Sequence, residues 1–148
     1  MMDPIPNLWP EGISVKVVTP LAILRAQVAP LERSTQGLLS VQVSTTTSED
    51  SDVVSHDLEL VARSLGNLRI GILTVVHDKI RVYPAELKGE LVEHETSDYD
   101  IYDWPRAASE GDFLFQLGKV LKSKEVRSII DSLLARMNEQ GVPANSNA

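Results

Sequence analysis

Residues 93–104 read EHETSDYDIYDW, with Tyr99, Ile101, Tyr102 and Trp104 threaded through five carboxylates and His94 near the start. Carboxylates and imidazoles ligate metal ions, paired carboxylates run general acid–base chemistry, and acids interleaved with rings make a docking surface for a basic partner. Those three chemistries, and a plain solvated loop, compete for this one segment.

The metal reading lacks its spacing. The histidines are His56, His77 and His94, and none has another within five positions, so neither a zincin helix nor a zinc-finger pattern is present. His56-Asp57 and His77-Asp78 are adjacent pairs, but neighbours on a strand point to opposite faces. His56 falls on an apolar strand face and reads as a core or boundary histidine, while His77 and Asp78 read as turn residues. A calcium loop alternates Asp and Asn around a glycine and closes with Glu. Asp98, Asp100 and Asp103 come without that glycine or that Glu, so no metal ligand is assigned.

A catalytic carboxylate pair needs a separation of roughly 5–9.5 Å across a cleft, with one member in an apolar setting that raises its pKa. Asp98 and Asp100 share a face if the segment is extended, and Tyr99 and Trp104 could line a ring-shaped substrate. This is the alternative of a small-ligand-binding or hydrolytic domain, with His94, Asp98 and Asp100 in a pocket. Against it, seven acids and one base lie between Glu86 and Trp104, which suits a solvated face better than a tuned pair. Nucleophilic catalysis has less support still, with no cysteine and no G-x-S-x-G turn. Gly66, Gly71 and Gly111 are isolated, so nothing cradles a phosphate and no cofactor is implied. The expectation is a protein that is not an enzyme.

Protein recognition is the reading preferred for Glu93, Glu95, Asp98, Tyr99, Asp100, Tyr102, Asp103 and Trp104. Carboxylates steer a basic protein, while Tyr and Trp bury a large rigid area and keep a polar tip. Three of the seven aromatic residues fall in positions 99–104. The competing role for Ile101 and Trp104 is to fold back and pin the loop to the sheet.

Charge narrows the partner. The formal net charge of −7 argues against direct nucleic-acid binding, which draws affinity from Lys and Arg. Residues 86–104 carry −6 of that total, leaving a nearly neutral remainder. Small acidic proteins of this kind include immunity proteins, antitoxins and chaperones; a DNA mimic with carboxylates spaced like phosphates is a further alternative. Lys119, Lys122, Lys124 and Arg127 form a basic cluster, read first as solvated helix surface. A homodimer in which that cluster meets the acidic segment of a second copy is compatible with the pattern, and Phe115, off its helix's apolar stripe, could face a partner.

The elements that must position these residues follow from periodicity. Ile13, Val15 and Val17 alternate with polar neighbours as a half-buried strand does. Thr19 and Pro20 begin a helix with its stripe at Leu21, Leu24, Val28 and Leu31, kinked or ended by Pro30 and closed by Gly37. Period 2 then rules from Leu38 to Tyr83: strands at Leu39–Val43, Val54–Ala62 and Leu68–Val76, a hairpin at Gly66-Asn67, and a last strand through Ile80 and Val82 that ends or edges at Pro84. Ser109 and Asp112 cap a helix with a stripe at Phe113, Leu114, Leu117, Val120 and Leu121. Ser123 caps another at Val126, Ile129, Ile130, Leu133, Leu134 and Met137, stopped by Gly141 and Pro143. The expected architecture is α+β: an antiparallel sheet of four to five strands packed by one N-terminal helix and two C-terminal helices.

At 148 residues one domain over residues 1–148 is expected, burying roughly 68–70% of the unfolded chain's surface. Residues 1–11 and 142–148 read as extended or frayed tails. The start lacks a basic and then apolar leader, no apolar run nears the roughly 20 residues that cross a bilayer, and cysteine is absent. Together these predict a cytoplasmic protein with no membrane contact.

Overall fold

The computed structural model describes residues 4–93, 95–96 and 102–140. The chain enters a helix at Thr19, whose hydroxyl accepts from the Ala22 amide at 3.1 Å. Pro20 takes the first helical position, where no donor is needed. Two short helices, α1 (Pro20–Arg25) and α2 (Val28–Ser34), replace the single helix expected here. The break falls at Ala26 and Gln27, not at Pro30, because a proline ring collides with the carbonyl four residues before it, here that of Ala26. Gln36 and Gly37 at φ of 55° and 82° end the helical region, the Gly37 amide bonding to the Glu32 carbonyl at 2.8 Å.

Seven strands follow among the described residues: β1 (Leu39–Thr47), β2 (Val53–Ala62), β3 (Leu68–Asp78), β4 (Ala85–Lys88), β5 (Glu95–Thr96), β6 (Tyr102–Asp103) and β7 (Arg106–Ala107). Five of them form one antiparallel sheet in the order β1-β2-β3-β4-β7, and β5 pairs with β6 as a separate ribbon. The register puts Leu39, Val41 and Val43 on the same face as His56, Leu58, Leu60 and Ala62 of β2 and Leu73, Val75 and His77 of β3. A register shift between Leu58 and Glu59 leaves Ile72 as the extra residue of a bulge, so Ile72 and Leu73 are both buried.

Helices α3 (Glu110–Leu121) and α4 (Lys124–Gln140) supply Phe113, Leu117, Val120, Val126, Leu133 and Met137 to the core cluster that also holds these strand residues. Ser109 caps α3 through the Asp112 amide at 3.2 Å, and Asp112 reaches back to the Ala108 amide at 3.0 Å. Ser123 caps α4 through the Val126 amide at 3.2 Å. This is the α+β architecture the periodicity predicts, with five strands in the sheet.

Three local expectations fail. Leu114 is half exposed, because it lies about 100° round the helix from the buried Phe113. No strand runs through Ile80 and Val82: Asp78 Oδ1 accepts the Ile80 amide at 2.8 Å and the Arg81 amide at 3.3 Å, and this local side-chain bonding turns the backbone out of the ladder. The sheet resumes only after Pro84, as β4. Nor do Ile13, Val15 and Val17 form a strand: residues 4–18 carry no helix or strand, and these side chains stand 70%, 96% and 55% exposed. Their alternation is real, but the main chain finds no neighbouring strand to pair with.

The acidic segment is an excursion from the sheet. It leaves at the end of β4 and returns as β7, which pairs with β4 through Ala85↔Ala107 and Glu86↔Arg106, so both its ends are anchored side by side. Gly89 opens the excursion at φ 140°, and a Cβ there would lie 3.3 Å from the Leu73 Cα. Gly89→Ala therefore meets a backbone conformation reserved for glycine and a wall of β3 main chain, and costs roughly 1–3 kcal/mol. Urea unfolding of the variant measures this directly.

Candidate functional site

The structure divides the predicted recognition residues. Glu93 and Asp103 are exposed. Glu95 and Tyr102 lie on β5 and β6, in a ribbon whose register sets Glu95 opposite Asp103 and Thr96 opposite Tyr102. Trp104 is half-buried and packs against the hydrophobic core, so it pins the base of the ribbon. Asp98, Tyr99 and Asp100, with His94 and Ile101, lie outside the described residues. Glu86 at the ribbon's root is neutralised by Lys88 at 3.2 Å and Arg106 at 3.3 Å.

A groove of about 440 Å³ runs between the β4–β5 connection and the junction of α3 with α4. Its floor is apolar: Leu87, Val92 and Val120 are core residues, joined by Leu91 and Pro105. Among the described residues its rim carries Glu90, Glu93 and Glu125 against one cation, Lys119, with Gln116 and Ser123. Lys119 Nζ sits 5.8 Å from the centroid of the Phe115 ring, which shares that cation's charge. Glu90, Glu93 and Glu125 are all exposed, so none occupies the apolar setting that an acid–base catalyst requires. What such a groove can do is take a long side chain with an aliphatic stem and a positive head, the stem on the floor and the head at the rim.

A second cluster lies in the core face of the sheet. His77 is buried, not a turn residue: it continues the alternation Leu73, Val75, His77 to the end of β3, and that continuation was the available signal. His56 is buried as expected on its apolar face. Their Nε2 atoms are 2.8 Å apart; His56 Nδ1 lies 2.8 Å from Thr45 Oγ1, and His77 Nδ1 lies 2.8 Å from the Asp78 carbonyl. Partner chemistry assigns the protons. A carbonyl only accepts, so His77 Nδ1–H donates to it; His77 Nε2 then accepts from His56 Nε2–H, and His56 Nδ1 accepts the Thr45 hydroxyl. Every ring nitrogen is satisfied with both rings neutral. Burial pushes the His56 pKa down from 6.5, the His77 ring and Arg25 push the same way, and Asp57 opposes them. Asp57 itself faces the other side of the sheet, where it accepts the Thr74 hydroxyl at 2.6 Å. Among the described residues no group of three or more His, Asp or Glu side chains is placed to hold a metal ion.

The groove's other wall was not visible in the acidic segment. Glu125 and Lys119 belong to helices more than a dozen positions away in sequence, and only the packing of α3 and α4 beside β4 brings them to the rim. No helix among the described residues is long and apolar enough to cross a membrane. Comparisons with protein-family models, with curated proteins and with solved structures return no match to this chain.

Proposed function

We propose that this chain is a non-enzymatic protein-interaction module, and that it binds a basic partner by seating a Lys- or Arg-bearing segment in the groove beside the β4–β5 connection. The observation that carries this is the pairing of an apolar floor with a rim of three carboxylates and one amine. Partners of immunity proteins, antitoxins and chaperones are often basic, and the cysteine-free composition suits their reducing, cytoplasmic setting.

Each exposed rim contact contributes roughly 0.2–1 kcal/mol. Glu90→Gln/Glu93→Gln/Glu125→Gln is therefore expected to weaken binding about 3- to 150-fold while leaving the melting temperature unchanged, since all three side chains are exposed. Affinity capture from native lysate, at salt concentrations where the Debye length falls from about 10 Å to about 3 Å, checks the binding, and thermal melts of the two proteins check the stability. Proteins of high pI retained by the wild type at low salt, and lost by the triple variant and by Asp98→Asn/Asp100→Asn/Asp103→Asn, support the reading. The same proteins retained by the triple variant would place the docking face elsewhere.

A further inference from the structure

We propose that the protein forms a homodimer by arm exchange: residues Gly12–Val18 of each copy add as an outer strand to the open edge of β1 in the other copy. The edge comes first. Among the described residues β1 pairs only with β2; at its start the Thr35 hydroxyl accepts the Leu39 amide at 3.1 Å and donates to the Leu39 carbonyl at 3.2 Å, and beyond that its outer side is left open over residues 41–47, VQVSTTT, without one charge or proline. Exposed edges are ordinarily blunted by shortness, lysine or proline, as the opposite edge is by the two-residue β7. From Val41 to Thr47, β1 has none of these protections.

The same chain carries a segment with strand chemistry and no partner. Ile13, Val15 and Val17 alternate with Ser14 and Lys16, are largely exposed, and among the described residues no hydrogen bond is made by residues 12–17. Set beside β1, the three apolar side chains extend the row of Leu39, Val41 and Val43, of which only Leu39 is fully buried. Ser14 and Lys16 then fall on the other face, with Gln42 and Ser44.

A second copy, not the arm's own sheet, is the geometric choice. The Tyr83 hydroxyl donates to the Val18 carbonyl at 2.8 Å, just before β4. β4 is three strands from β1, about 14 Å at the usual strand spacing. With Val18 held there, the C-terminal half of the arm cannot lie along its own β1. Ile13, Val15 and Val17 are all exposed, and burying them removes about 360–720 Å² over two arms; Ile5, Leu8 and Trp9, exposed on the residues just before the arm, raise this to about 900–1,700 Å² where they follow it onto the second copy, against the roughly 1,200–2,000 Å² of a stable interface. A reciprocal exchange closes on itself with twofold symmetry and leaves no β1 edge open.

Sedimentation equilibrium on the full chain tests this. The wild type is expected to dimerise, and Ile13→Lys/Val15→Lys to raise the dissociation constant about tenfold or more with no change in melting at a concentration where both are monomeric, because both side chains are exposed in the monomer. The chain has no cysteine, so oxidising a mixture of Ser14→Cys protein with Gln42→Cys or Ser44→Cys protein reports contact between arm and edge. Cross-linked pairs confirm the exchange. A wild type that stays monomeric, a dimer indifferent to the lysines, or a dimer without arm-to-edge cross-links each overturns it. None of these readouts involves a basic partner, so this proposal and the groove stand or fall separately.

Discussion

Phe113→Ala is expected to lower the unfolding free energy by roughly 3–5 kcal/mol, a large share of the 5–15 kcal/mol typical of a domain. Phe113 is fully buried at the first turn of α3, the helix that packs against β4 and β7. Its ring also meets Tyr83 edge-on, with centroids 6.4 Å apart. Truncation leaves a cavity that the cap at Ser109 and the sheet restrain from collapsing, so the cost combines lost transfer energy with lost contacts. Phe113→Leu keeps part of the volume and loses less. Urea denaturation of both variants measures the difference, and a Phe113→Ala cost below about 1 kcal/mol would contradict the packing described.

The second large effect is a pH dependence set by the histidine pair. The folded state disfavours the protonated form of His56, chiefly through burial, so the unfolded chain takes up the proton first. Stability is then complete above pH 6.5 and falls as pH drops below that value toward the lower folded-state pKa. Hydrogen bonding sharpens this: one added proton can be accommodated if the Thr45 hydroxyl reverses, but a second sets Nε2–H against Nε2–H. Asp78, held low by the Ile80 and Arg81 amides, loses its contribution only below pH 3.8, outside this window. His77→Ala removes the acceptor of His56 Nε2–H and costs roughly 1–3 kcal/mol at neutral pH. His56→Leu/His77→Leu removes both partners; it is expected to be near neutral at pH 7.5 and to abolish the loss below pH 6.5. Thermal melts across that range distinguish the three proteins.

Much of the fold was legible because local and tertiary demands agree. β1, β2 and β3 alternate with period 2 and are covered on one face, while α4 repeats at three and four and packs one stripe. Where a local signal depended on something distant, legibility ended. Ile13–Val17 has a strand's pattern but no adjacent strand. Pro30 acts one turn upstream of its own position. His77 was assigned to a turn because its polarity outweighed its place in the alternation, and in the core His56 supplies the partner that makes its burial tolerable. The acidic segment was legible as one feature. Its groove was not, since Glu125 and Lys119 reach the rim only when the helices pack.

The central claim, that the groove seats a cationic segment, is tested most directly by fluorescence of the Trp9→Phe protein, in which Trp104 is the sole tryptophan. Trp104 directly precedes Pro105 on the groove wall and is half-buried, so an occupant alters its surroundings. Titration with an amphipathic Lys/Arg peptide at low salt is expected to give a saturable change that high salt suppresses and that Glu90→Gln/Glu93→Gln/Glu125→Gln removes. An unchanged Trp104 signal, or an equal response to an acidic peptide of the same apolar residues, would contradict the account.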